Sequence, residues 1–142
     1  LAVKDSILIP AYQLAPSGWL DLPSEVNVSG VLYGPGTLKT RFFLMAEHDN
    51  CWQIAVKAKH DDPPPVILEV WIDREKVDTL SFDRGDQSWG VLSTNVLLSP
   101  NLHTLDIMFV NDFLNKETEV DRNAYIESVE ITRLESSSCA YD

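Results

Sequence analysis

Basic residues are in short supply: 11 lysines and arginines face 22 aspartates and glutamates, a net charge of −11, so a phosphate backbone or an anionic lipid face would repel the chain. Lys57 and Lys59 sit two apart in an apolar run, with Arg122 and Arg133 well separated from them. No basic patch breaks the pattern, and nucleic acid is excluded as a partner. Long apolar runs are missing too. No stretch approaches the roughly 20 apolar residues that cross a bilayer as a helix, so no membrane partner is expected. Histidine is scarce: His48, His60 and His103 lie in three separate segments, each reading as a solvated loop or a strand edge. No G-x-S-x-G elbow, Gly-rich phosphate loop or H-E-x-x-H helix accompanies them. Carboxylate pairs for glycoside hydrolysis stay open by count alone, since Asp and Glu are abundant. A copper oxygenase of polysaccharides would be expected to begin with His, and the chain begins with Leu1. The reading is therefore not an enzyme.

Only two cysteines occur, Cys51 and Cys139, and they match no metal-site spacing. An even pair fits one disulfide, which would close a loop of about 90 residues and tie the tail ESSSCAYD to the segment beginning at Cys51. The alternative is one buried and one exposed thiol in a reducing compartment. A free thiol in a Ser-rich tail has no packing role, which favours the disulfide and a secreted location, extracellular or periplasmic. No basic start, apolar run and small-residue cleavage site open the sequence. A segment of a larger secreted protein, covalently attached to a partner domain, is the expectation.

What is present is a core. An apolar fraction of 44% against 23% charged residues places the chain among folded globular proteins, and 142 residues suit one domain. Apolar and polar residues alternate with period two, and helical periodicity is nearly absent. Strands are expected over 4–9, 25–31, 38–46, 52–59, 66–72, 76–82, 89–98, 104–110 and 124–134. Turn signals stand between them: APSG, GPG, HDDPPP, DREK, DRGDQ and SPN. Short strands in this number, without crossover helices, predict an all-β fold, an antiparallel two-sheet β-sandwich of the jelly-roll kind. The expected domain is 1–135, with Leu105, Ile107, Phe109, Ile126 and Val129 in its core. Residues 136–142 form a Ser-rich tail that reads as the start of a linker.

One connection carries more polar oxygen than a turn requires. Residues 111–123, NDFLNKETEVDRN, include Asn111, Asp112, Asn115, Glu117, Glu119, Asp121 and Asn123. Calcium takes six to eight oxygen ligands, and a loop with carboxylates, amides and unpaired backbone carbonyls can supply most of them. Asp112 and Asp121 lie near the loop's two ends and come together if the flanking strands pair. Asn123 and Asn111 add amide oxygens. A solvated loop or a purely structural ion are the other readings. Exposed aromatic rings are the other candidate binding groups, because a ring face packs against the C–H groups of a ligand. Tyr33 beside GPG and Phe113 inside the acidic loop are placed for exposure, and Trp89 follows DRGDQS. Trp52 and Trp71 stand inside strands and read as core or sheet-face residues.

The segment FVND (109–112) followed by DRNAYI (121–126) resembles the loop motif of β-sandwich carbohydrate-binding modules, most closely the calcium-dependent xylan-binding modules of families 36 and 60. The likeness runs over about residues 64–134. It implies a monomeric module in which Ca2+ is held by Asp112, Asp121, Asn123 and Asn111. The implied ligand is a neutral β-linked plant polysaccharide, xylan first, met by the ion and by Tyr33, Trp89, Phe113 and Glu119. The runner-up is an assembly module of a larger secreted protein, with a structural calcium or none.

Overall fold

Alternation in the sequence becomes, in space, a fold made almost wholly of strands. A computed structural model describes residues 1–21, 30–60, 65–83, 88–111, 113–115, 117–118 and 120–139, with side chains described outside 12, 15–21, 30–35, 113–115 and 120–121. Its strands are β1 (Ala2–Val3), β2 (Ser6–Pro10), β3 (Ala15–Asp21), β4 (Gly30–Leu44), β5 (Asn50–His60), β6 (Val66–Ile72), β7 (Glu75–Phe82), β8 (Gly90–Leu98), β9 (Leu102–Phe109), β10 (Phe113–Asn115), β11 (Val120–Arg122) and β12 (Ala124–Arg133). No α-helix occurs among the described residues.

Hydrogen bonds run in the order β7-β6-β9-β4-β12-β5-β8, and this ribbon folds into the two layers of a β-sandwich at β4. The C-terminal part of β4, from Gly36 to Phe43, pairs with β9, whereas its N-terminal part, from Gly30 to Leu32, pairs with β12. Residues 33–35 lie between the two registers. The GPG triplet, expected to turn the chain, is instead the corner of one long strand. Pro35 has no N–H to give, so it costs least where no ladder bond is due. The expected turn at APSG likewise falls within β3, antiparallel to β4 from Ala15 opposite Lys39. The expected strand 25–31 falls mostly outside the described residues.

Both layers bury alternate side chains against each other. Leu68, Val70, Leu105, Ile107 and Phe109 from one layer meet Trp52, Ile54, Val56, Ile126 and Val129 from the other, all at 0–1% exposure. Ile126 and Val129 are three apart and cannot share a face on a regular strand. A bulge between Ile126 and Ser128, opposite β5, restores the phase. The expected core is thus met in full.

Two tethers complete the frame. Cys51 and Cys139 form a disulfide that draws the Ser136–Cys139 turn onto β5. The β6–β7 hairpin turns on Asp73 and Arg74 with φ of 52° and 69°, the positive pair of a two-residue turn. Asp73 is fastened to β9, where its carboxylate accepts the Thr104 N–H at 2.9 Å and meets His103 Nδ1, while its own N–H donates to the Thr104 carbonyl. His103 Nε2 faces the Ser99 carbonyl at 2.8 Å. His103 and His60 are buried, not solvated or at an edge as their sequence suggested. Both sit at inward positions of an alternating strand, where one polar residue is tolerated if its ring nitrogens find partners.

Candidate functional site

The strands flanking residues 111–123 do not pair with each other, contrary to the condition set for bringing Asp112 and Asp121 together. β9 belongs to one layer and β12 to the other, with β4 between them in the hydrogen-bonded order. The loop closes by a device of its own. β10 and β11 form a short antiparallel hairpin in the register Phe113 opposite Arg122, Leu114 opposite Asp121 and Asn115 opposite Val120, turning at 117–118. The Arg122 guanidinium donates to the Asn111 carbonyl at 2.7 Å and ties the two roots across 11 residues.

Asn111 has a further task. Its Oδ1 accepts the Ile67 N–H at 2.8 Å, and its Nδ2 donates to the Pro65 carbonyl at 2.8 Å. The β6–β9 ladder ends one step earlier, where the Val110 N–H donates to the Ile67 carbonyl. The chain leaves the strand after Val110, and the Asn111 side chain makes the next rung in place of backbone. As arranged, both ends of its amide are engaged.

Among the other expected ligands, Asn123 is buried at the loop's second root, immediately before β12. Asp121 lies on β11, and Phe113 opens β10, with side chains beyond the described ones; Asp112 and Glu119 lie outside the described residues altogether. Among the described residues no three His, Cys, Asp or Glu side chains come together as a metal site. The donor chemistry of the segment nonetheless fits a hard divalent ion. It offers carboxylate, amide and carbonyl oxygens and no thiol or imidazole, and its four acids against two bases leave two negative charges.

Beside the second root stands a cluster that the sequence did not announce. Lys59 on β5 is opposite Tyr125 on β12, and Trp89 directly precedes β8, whose Gly90 is opposite Ala58. The Lys59 ammonium lies 4.8 Å from the Trp89 ring centroid and 5.2 Å from that of Tyr125. Trp89 is half-buried, and one face of its ring is covered by a cation. Tyr125 was legible only as part of DRNAYI; Lys59 is 66 residues from Tyr125 and 30 from Trp89, separations that no local pattern reveals. Tyr33 lies at the β4 corner, its side chain outside those described. Trp52 is fully buried, and Trp71 lies on a sheet face with its Nε1 donating to Glu69 at 3.0 Å.

A family model described as a Ca-dependent carbohydrate-binding module, xylan-binding (CBM60), matches residues 53–140. Among solved structures, the CBM36-1 domain of a multidomain xylanase from the hindgut metagenome of Trinervitermes trinervoides is similar at 12% identity, over 89% of this chain and 96% of that one, with a TM-score of 0.70. A CBM36 module in complex with calcium and xylotriose aligns at 13% identity over 89% and 99% of the two chains, TM-score 0.68. A family 35 carbohydrate-binding module from Clostridium thermocellum aligns at 7% identity over 89% and 96%, TM-score 0.65. At such identities these structures speak for the fold alone. No curated protein matches.

Proposed function

The chain belongs to family 60 of the calcium-dependent, xylan-binding carbohydrate-binding modules, a non-catalytic class, and from that membership we propose that it binds xylan through the loop 111–123, with Asp112, Asp121 and Asn123 as the side chains that hold calcium. The observation that carries the proposal is the span of the family match, 53–140, which contains the whole loop, both its roots and Trp89. A bound calcium supplies open coordination positions that paired sugar hydroxyls can fill. The protein's part is to bring hard oxygens together and hold them still. Asp presents its carboxylate on a short stem, and Asn matches that shape while limiting the crowded charge. Asn111 serves as the clamp that fixes the first root rather than as a side-chain ligand.

Around the ion, Phe113, Glu119 and Trp89 line the glycan, joined by Tyr125. Tyr33 lies before the matched residues, and its share rests on its place at the β4 corner. The ligand is a neutral β-linked chain, with xylan ahead of other β-glycans. Residues 1–135 are the monomeric binding module, attached to a partner domain of a secreted protein. The Cys51–Cys139 disulfide supports an oxidising compartment, extracellular or periplasmic.

Asp121→Ala tests the assignment. It removes a ligand and a charge while the core, built from other residues, stays intact. Retention on immobilised xylan in calcium should be lost, with the unfolding temperature in chelator unchanged. Retention equal to that of the unaltered protein would overturn the ligand set. A module that never binds glycan would leave the assembly reading in its place.

A further inference from the structure

We infer that Lys59 is a specificity-determining residue that reads a carboxylate on the glycan, so that the preferred ligand is a xylan bearing uronic acid side groups. The inference rests on the glycan-binding reading of the same site. It starts from how the lysines are matched. Lys57 meets Glu127 at 2.6 Å, Lys76 meets Glu69 at 3.6 Å and Lys39 meets Asp106 at 3.7 Å. Among the described lysines, Lys4, which is exposed, and Lys59 have no such carboxylate partner. Lys59 differs from Lys4 in that its ammonium is held on the rings of Trp89 and Tyr125.

Aromatic faces attract a cation and shed its water on one side, but they accept hydrogen bonds poorly in directions away from the ring. An ammonium held on two rings is therefore aimed, and its outward N–H groups remain for solvent or ligand. The cluster lies beside the loop's second root. Tyr125 is two residues from Asn123, and the next pair along the same strands is Ala124 opposite His60. A sugar seated on the loop would place a substituent of an adjoining residue over this cation. The anion must be local, because an acidic polymer spread over the rest of the surface would be repelled. One carboxylate per binding frame, as on a sparsely substituted xylan, satisfies both conditions. A compact ammonium suits a single carboxylate as a point charge.

The test uses the whole chain with calcium, titrated calorimetrically with neutral xylohexaose and with a xylo-oligosaccharide of similar length carrying one glucuronate. At low salt the acidic ligand should bind about fivefold more tightly, the reach of one partly exposed ion pair, and the advantage should shrink as salt is raised. Lys59→Met should bring the ratio close to one. Lys39→Met, an equal change of net charge on the other layer, should keep it. Equal binding of both ligands overturns the inference and leaves the xylan reading intact. A preference that survives in Lys59→Met also overturns it, because the carboxylate is then read elsewhere, as by the ion itself. If neither ligand binds, the glycan reading falls and the inference falls with it.

Discussion

Asn111 separates a clamp from a ligand, and the two roles respond oppositely to the same substitution. Asn111→Ala removes two side-chain hydrogen bonds of 2.8 Å, one to the Ile67 N–H and one to the Pro65 carbonyl. At about 1 kcal/mol net for each, with the partners partly reachable by water, the loss is about 2–3 kcal/mol. In a domain of this size that lowers the unfolding temperature by roughly 4–10 °C. Asn111→Asp keeps one acceptor but sets a carboxylate oxygen against the Pro65 carbonyl, so it should be at least as harmful. Asp is a better calcium ligand than Asn, and a ligand role predicts the reverse order. Calorimetric melts in calcium and in excess chelator decide the matter. The clamp predicts the same loss in both media. A loss confined to calcium, or an Asn111→Asp protein more stable than the unaltered one in calcium, would refute the reasoning.

Reduction of the Cys51–Cys139 disulfide, or its replacement by Ala at both positions, opens a loop with a sequence separation of 88. The chain-entropy account puts the cost at up to about 4–5 kcal/mol, read as a shift of the denaturation midpoint, and no shift would contradict it. At the β6–β7 turn, Arg74 holds φ at 69° without being glycine. Arg74→Gly should stabilise the fold by about 0.5–1 kcal/mol, measured in urea, and a destabilised variant would show that the turn carries no such strain. Burial raises the Asp73 pKa, but the hydrogen bonds from His103 and the Thr104 amide, with the His103 charge, outweigh it, so the net direction is below the ordinary carboxylate value. The folded state then binds this proton less readily than the unfolded chain. The stability it lends is present above the unfolded pKa and is lost as pH falls below about 4. Melting temperatures of Asp73→Asn should depend less steeply on pH there than those of the unaltered protein, and parallel slopes would count against the pair.

Much of the fold was legible because burial on one face leaves a period of two in the sequence, and β6, β7 and β9 lie within a few residues of where alternation put them. Proline and glycine misled at β3 and β4. Local chemistry signals a turn, whereas Pro35 marks a corner where a strand changes partners and needs no donor. The β10–β11 hairpin is only three residues on each side, too short for periodicity to register. At the site, composition showed the oxygens of 111–123 but not the hydrogen bonds that Asn111 makes to Ile67 and Pro65. Lys59, Trp89 and Tyr125 meet only through pairings of β5, β8 and β12, so no window of sequence holds all three.

The central claim is that glycan binding runs through a calcium ion at the loop. Its most direct test is calorimetric titration of xylohexaose into the protein, first with calcium and then with excess chelator. The account predicts a binding isotherm in calcium and its disappearance in chelator, with restoration when calcium is added back. An isotherm unchanged by chelation would contradict it, and the ion would then be at most a support for the fold.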